Sequence, residues 1–367
     1  MSMKYKENWE ETKERFKAWW NRSSIGRPLM KVIARRQKPV EELEEEQPFE
    51  TPEDFHLNAA EKVKRYRNFL KTHKMMADSF PHLSINIGPG SLSTYLGGQP
   101  IFTWNTVWYE DIAKDGWDKI GTLKYNPENH WWKRHQDALK TARELSNEDF
   151  IIDIPDIIEG IDILSALRGP EKLCFDLMDI PDVIKDYINQ LDDLYFKYYD
   201  PLYDLVKLND GSSSYTAFDI WSPGKLAKVQ CDFSAMISPE HFREFVQPSL
   251  RKQCQQLDNS IYHLDGPDAI KHVDALMEIE ELDALQWTPG AAKPDGGFEG
   301  WYPIYDKVRA ANKSLWISIY DGDLNDWIES ADKLVKRYGP DGLYLLFPEM
   351  DEADAIQLMK KAEKDWK

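Results

Sequence analysis

The segment His263-Leu264-Asp265-Gly266-Pro267 sets an imidazole and a carboxylate at alternate positions just before a turn. Alternate residues of a strand project to one side, so an extended run would aim His263 and Asp265 into one pocket. Such a pair suits a divalent ion such as zinc, or a general base held by its orienting acid. A hydrogen-bonded pair at a turn is the structural alternative and is about equally common.

Other groups stand where further apolar runs end. Asp156, Glu159 and Asp162 follow the run Phe150–Pro155 and offer acid–base groups or metal ligands, or else caps for a helix start. Asp219 closes the next run, followed by Trp221, and then by Gln230, Cys231 and Asp232. Trp287 offers a flat stacking wall, or ordinary core filling. Tyr320 is a candidate proton donor or wall, and Glu349 the best third ligand if a metal binds. The catalytic candidates are therefore His263, Asp265, Asp219 and Glu159. The metal candidates are His263, Asp265 and Glu349. Trp221, Trp287, Tyr320 and Trp104 are the candidate substrate contacts.

The elements that must position these groups alternate. Apolar runs occur at 28–34, 83–87, 150–155, 215–220, 261–264, 282–287, 314–319 and 343–347, with helix-like stretches between them. Strands separated by helices pair in parallel, and eight such units predict closure into a (β/α)8 TIM barrel. A doubly wound sheet would carry a glycine-rich loop after its first strand. Here that place reads Arg35-Arg36-Gln37-Lys38-Pro39. Residues 4–20 predict an N-terminal helix, 180–205 a long helix opened by Pro181, and Ser238-Pro239-Glu240 a capped helix start. The acidic stretch 41–46 reads as a solvated loop or helix face. Residues 88–132 are too long for an ordinary connection. They hold five of the chain's 14 tryptophans and predict an insertion over the barrel mouth, either a stacking lid or a small core. One domain, 1–367, is expected.

Composition narrows the partners. The chain has 367 residues and a formal net charge of −18, with no dense basic run. That argues against nucleic acid and against anionic lipid. No run of about 18 apolar residues predicts a membrane span, and no apolar leader is visible. Three widely spaced cysteines suggest neither a disulfide framework nor a CxxC metal site. A cytoplasmic location is expected, and a homodimer is compatible with the sequence.

Three stretches resemble the uroporphyrinogen decarboxylase superfamily, which also includes corrinoid-dependent methyltransferases and cobalamin-independent methionine synthase-like barrels. They are PDIIEGIDILSALRG (155–169) with the following 176–182 run, VQCDFSAMISPEHFREFVQPSL (229–250), and Tyr262-His263-Leu264-Asp265-Gly266. The resemblance implies a TIM barrel with its site at the strand ends. The decarboxylases carry an arginine-rich motif near the first strand, which RPLMKVIARRQKP lacks. The methyltransferases hold zinc with a His-x-Cys pair and a later cysteine. Here the pair is His263-x-Asp265, and the later position falls near Glu349. An oxygen- and nitrogen-donor site favours activating an ether or hydroxyl oxygen over a thiol. The expected function is metal-assisted methyl transfer from a small methylated substrate to a corrinoid. No Asp-x-His-x-x-Gly motif is present, so the corrinoid would sit on a separate protein. The alternatives are a decarboxylase-type lyase using Arg27, Arg35 or Arg168, and a non-catalytic barrel that binds a small ligand.

Overall fold

Alternation of side chains along extended strands gives the central sheet two apolar faces, one toward helices and one inward. The computed structural model describes residues 3–367. Its main ladder runs in the order Met350–Asp351, Leu29–Arg35, Leu343–Leu346, Ser314–Ser318, Ala284–Thr288, Asn259–Asp265 and Leu226–Gln230, and every pair in it is parallel. His73–Ala77 adds to Leu29–Arg35 in antiparallel sense. His82–Leu83 pairs in parallel with Ile151–Ile152.

Leu29, Ile151, Leu226, Ile261, Ala284, Trp316 and Tyr344 share one apolar cluster. They come from strands at both ends of the ladder and from outside it, so the sheet curls around that cluster. The alternate residues Met30, Val229, Tyr262, Leu285, Leu315 and Leu345 belong to the larger cluster under the helices. The result is a mixed α/β fold with a mostly parallel central sheet, consistent with a TIM-like arrangement. Among the described residues the ladder does not close on itself. Between Leu29–Arg35 and His82–Leu83 the link is made through Asp78, whose N–H donates to the Met30 carbonyl and whose carboxylate accepts the Met30 N–H, and through Ser79, whose hydroxyl donates to the Val32 carbonyl and accepts from the Val32 N–H.

The N-terminal helix forms at Trp9–Trp20 and seals the base of the curl. Trp9, Phe16, Trp19 and Trp20 recur at helical spacing on one face, and Glu10 and Glu11 favour the positive end of its first turn. The Trp20 indole donates to the Trp221 carbonyl at 2.8 Å, and the Ser314 hydroxyl to the Trp19 carbonyl at 2.6 Å.

Two expectations are corrected. The run 215–220 is not one strand. Ser213–Tyr215 and Ile220–Ser222 form a small antiparallel hairpin, broken by the turn Thr216–Phe218. Asp219 has φ 49°, a left-handed value that no regular strand permits. The stave beside Asn259–Asp265 is instead Leu226–Gln230. The 88–132 segment holds a short helix, Leu92–Tyr95, and a hairpin of Pro100–Phe102 with Val107–Tyr109. Gly88 is needed where that hairpin crosses, because a Cβ there would lie 2.7 Å from Val107 Cβ.

Candidate functional site

Register builds the site. His263 stands opposite Gln230 on one side and Gln286 on the other. All three side chains therefore project to the inner face, together with Lys228, Asp265 and Thr288. They meet at the C-terminal ends of the strands, above the aromatic base, where Lys228, Gln230 and His263 line a cavity of about 380 Å³.

Asp232, His263 and Asp265 form the group at its rim. One ligand atom from each lies within 4.8 Å of the others. The Gln286 amide N–H donates to Thr288 Oγ1 at 2.8 Å, which turns its carbonyl oxygen toward the Nδ1–H of His263. That hydrogen bond leaves the Nε2 lone pair of His263 bare. Burial, reinforced by the Lys228 ammonium, lowers the pKa of His263, so the imidazole is neutral at pH 7. Asp232 remains open to the cavity. Its removal from bulk water, then the charge of Asp162, push its pKa up to about 7.

A polar chain supports this rim. Lys228 Nζ pairs with Asp156 Oδ2 at 2.6 Å and also donates to the Gln230 carbonyl oxygen. Gln230 Nε2 donates to Asp232 Oδ2 at 2.9 Å and to Asp162 Oδ2 at 3.1 Å. Asp162 in turn accepts the backbone N–H groups of Asp232 and Phe233.

The structure brings His263 and Asp265 together and supplies Asp232 as the third member. Glu349 is not with them, because it accepts from Arg35 and lies 3.2 Å from His73 Nε2. Glu159 lies behind the Leu226–Gln230 strand, where its Oε1 accepts the Gln230 N–H at 2.8 Å. Its Oε2 is buried without a partner, and burial pushes the pKa up to about 8. Asp219 sits away from the rim, bonded to Lys31 at 2.8 Å and His82 at 3.1 Å.

The aromatic expectations also move. Trp221 is fully buried in the base cluster. Trp287 points outward into the helix layer against Trp301, because it is one residue out of phase with Gln286. Tyr320 is exposed and lines neither the cavity beside His263 nor the one beside His82, and Trp104 packs near Phe55. Trp108, 65 % exposed, instead lines an apolar groove of about 650 Å³ with Ile158, Phe233 and Met236. That groove shares Pro89, Gln230 and Asp232 with the cavity. Trp117 and Trp132 are buried in the main core under the helices, against Tyr187 and Tyr95. None of the three candidate arginines reaches the cavity. Arg27 is buried on Asp78, Arg35 holds Glu349 and Arg168 holds Asp176.

The chain shares its fold with a known enzyme. It superposes on a methyltransferase from Methanosarcina mazei with a TM-score of 0.62, covering 96 % of this chain and 98 % of that one at 10 % identity. No family model matches the chain, and no curated protein matches it. At that identity the likeness speaks for the fold.

Sequence reasoning missed Lys228 and Gln286. Strand parity was the available signal, because both residues have the inward phase of His263.

Proposed function

We propose that the chain is a metal-assisted methyltransferase of the uroporphyrinogen decarboxylase superfamily, a closed eight-stave barrel that moves a methyl group from a small donor to a corrinoid on a separate protein. The observation that carries this reading is the Asp232–His263–Asp265 group at the rim between a polar cavity and an apolar groove.

The donor set suits a divalent ion such as zinc. Small side-chain rotations bring atoms within 4.8 Å of one another to the roughly 3.3 Å spacing of tetrahedral ligands. His263 would bind through the Nε2 that Gln286 leaves bare. A bound ion would supply Lewis-acid activation of the heteroatom carrying the methyl group. The polar cavity then takes the donor, and the Trp108–Met236 groove takes a large flat acceptor. In the transfer the methyl–oxygen bond would break, a reduced corrinoid would supply the electron pair for the new bond to carbon, and the released pair would stay on oxygen. The Lys228 ammonium is placed to neutralise that charge. The fold shared with a methyltransferase supports the same reading. The lyase reading is weaker, because Lys228 is the only lysine or arginine lining the cavity among the described residues.

Metal analysis after incubation with zinc tests the proposal. About one ion per chain is expected in the wild type. The ion should be lost in D232A, H263A and D265A, and methyl transfer to an added corrinoid protein should be lost with it. A metal-free wild type, or unchanged metal in all three variants, removes the metal-assisted reading. A tight ligand without turnover would then favour the binding barrel.

A further inference from the structure

A second cavity, of about 470 Å³, opens beside the first, between the Leu29–Arg35 strand and the helix Ala59–Thr72. Lys31, Lys62, Tyr66, His82, Ser84 and Asp219 provide its polar lining. Ser84 lines the first cavity as well.

Accounting for charge isolates one residue. Among the described residues Asp219 is the only carboxylate in that lining, and it is already held by Lys31 at 2.8 Å and by His82 at 3.1 Å. His82 spends its other ring nitrogen on Asp153 at 3.1 Å. Burial alone would lower the pKa of His82, but Asp153 and then Asp219 outweigh it and raise the value to about 10. The ring is therefore an imidazolium at neutral pH. The left-handed backbone of Asp219 is the strained feature that keeps this carboxylate between its two cations.

Lys62 is left over. Among the described residues it has no carboxylate and no hydrogen-bond acceptor, and its ammonium lies 5.5 Å from the Phe55 ring centre. In a chain of net charge −18 that is unusual, and burial without a counter-charge lowers its pKa to about 8. Two neutral donors accompany it. Tyr66 Oη accepts the His82 backbone N–H at 2.8 Å, which leaves its own proton to give. The Ser84 hydroxyl has no partner among the described residues. The wall thus carries more positive than negative charge and offers three donors without acceptors. A ligand made of acceptors with negative charge meets all three.

We propose that this second cavity is an oxyanion subsite that takes the carboxylate, sulfonate or phosphate of a small organic anion on Lys62, Ser84 and Tyr66. Because Ser84 borders both cavities, the bound anion is one end of the methyl donor, whose other end enters the first cavity. That last link rests on the methyl-transfer reading, whereas the binding does not.

The test titrates the protein with succinate, methanesulfonate and inorganic phosphate by calorimetry, and follows the Lys62 amine by NMR after reductive ¹³C-methylation. Saturable binding of at least one probe is expected, with the Lys62 titration moving upward when it binds. The best of the three identifies the anion class. K62M should weaken that binding about tenfold or more, the scale of a lost charge-assisted hydrogen bond, and K62R should recover part of it. S84A should lose several-fold and serves if K62M does not fold. Metal content should be unchanged in K62M and S84A, so this result stands apart from the metal test. No saturable binding of any probe up to about 50 mM, or equal affinity in wild type, K62M and S84A, overturns the subsite.

Discussion

Single residues at this site are governed by phase and by charge. Gln286 illustrates phase, because one step along its strand separates an inward amide that holds His263 from the outward Trp287. The pair His263 and Asp265 was legible in the sequence for the same reason, since a spacing of two keeps both on one face. Asp232 as their third partner was not legible, because it comes from a loop after a neighbouring strand. Glu159 illustrates charge. Its carboxyl has a pKa of about 8 in the folded chain against 4.5 for the free group, so the folded state holds a proton that the unfolded chain releases between those values. Its contribution is complete below about pH 4.5 and is lost as the pH rises to 8. The slope is at most about 1.4 kcal/mol per pH unit. E159Q keeps the acceptor for the Gln230 N–H and removes the titration. Urea unfolding at pH 5 and pH 8 should show the variant gaining on the wild type as the pH rises. A gap that stays constant would place the proton elsewhere.

At the scale of elements, the chain's purpose interferes with its own pattern. Leu226–Gln230 was missed because Lys228 and Gln230 interrupt the apolar run that a buried parallel strand normally shows. Those two residues face the cavity, so its polar lining masked the strand. The 215–220 run failed for a related reason, since its apolar side chains are real but Asp219 turns the backbone back. The helix Trp9–Trp20 was legible because its tryptophans fall on one face and serve only packing. Its role as the base plug gives a prediction. W19A removes a fully buried indole from the cluster around Tyr344 and Trp316, and should cost about 3–5 kcal/mol in urea unfolding. A loss below about 1 kcal/mol would mean that the helix rests loosely on the sheet.

Across the whole molecule, stability and chemistry occupy opposite ends of the same strands. Tryptophan, phenylalanine and leucine fill the base, while carboxylates, lysine and histidine crowd the mouth. The alternation of strands and helices made the general architecture readable, but the irregular connections at the mouth carry no period to read. The mouth should therefore be costly to the fold. D232A relieves repulsion from Asp162 and Asp265, and in metal-free protein should unfold at the same or a higher urea concentration than the wild type. A clear drop would show that the group braces the fold. The joints of the wall outside the main ladder are held by isolated hydrogen bonds. Where Leu29–Arg35 meets His82–Leu83, Ser79 spans the gap with a hydroxyl in place of a ladder. A ring sealed on every side must break paired strands to widen. A wall whose joint rests on a few isolated hydrogen bonds, here those of Ser79 and Asp78 to the Leu29–Arg35 strand, gives there before its laddered strands do. The cavity of Lys62 lies along that joint, so widening it would strain isolated hydrogen bonds first.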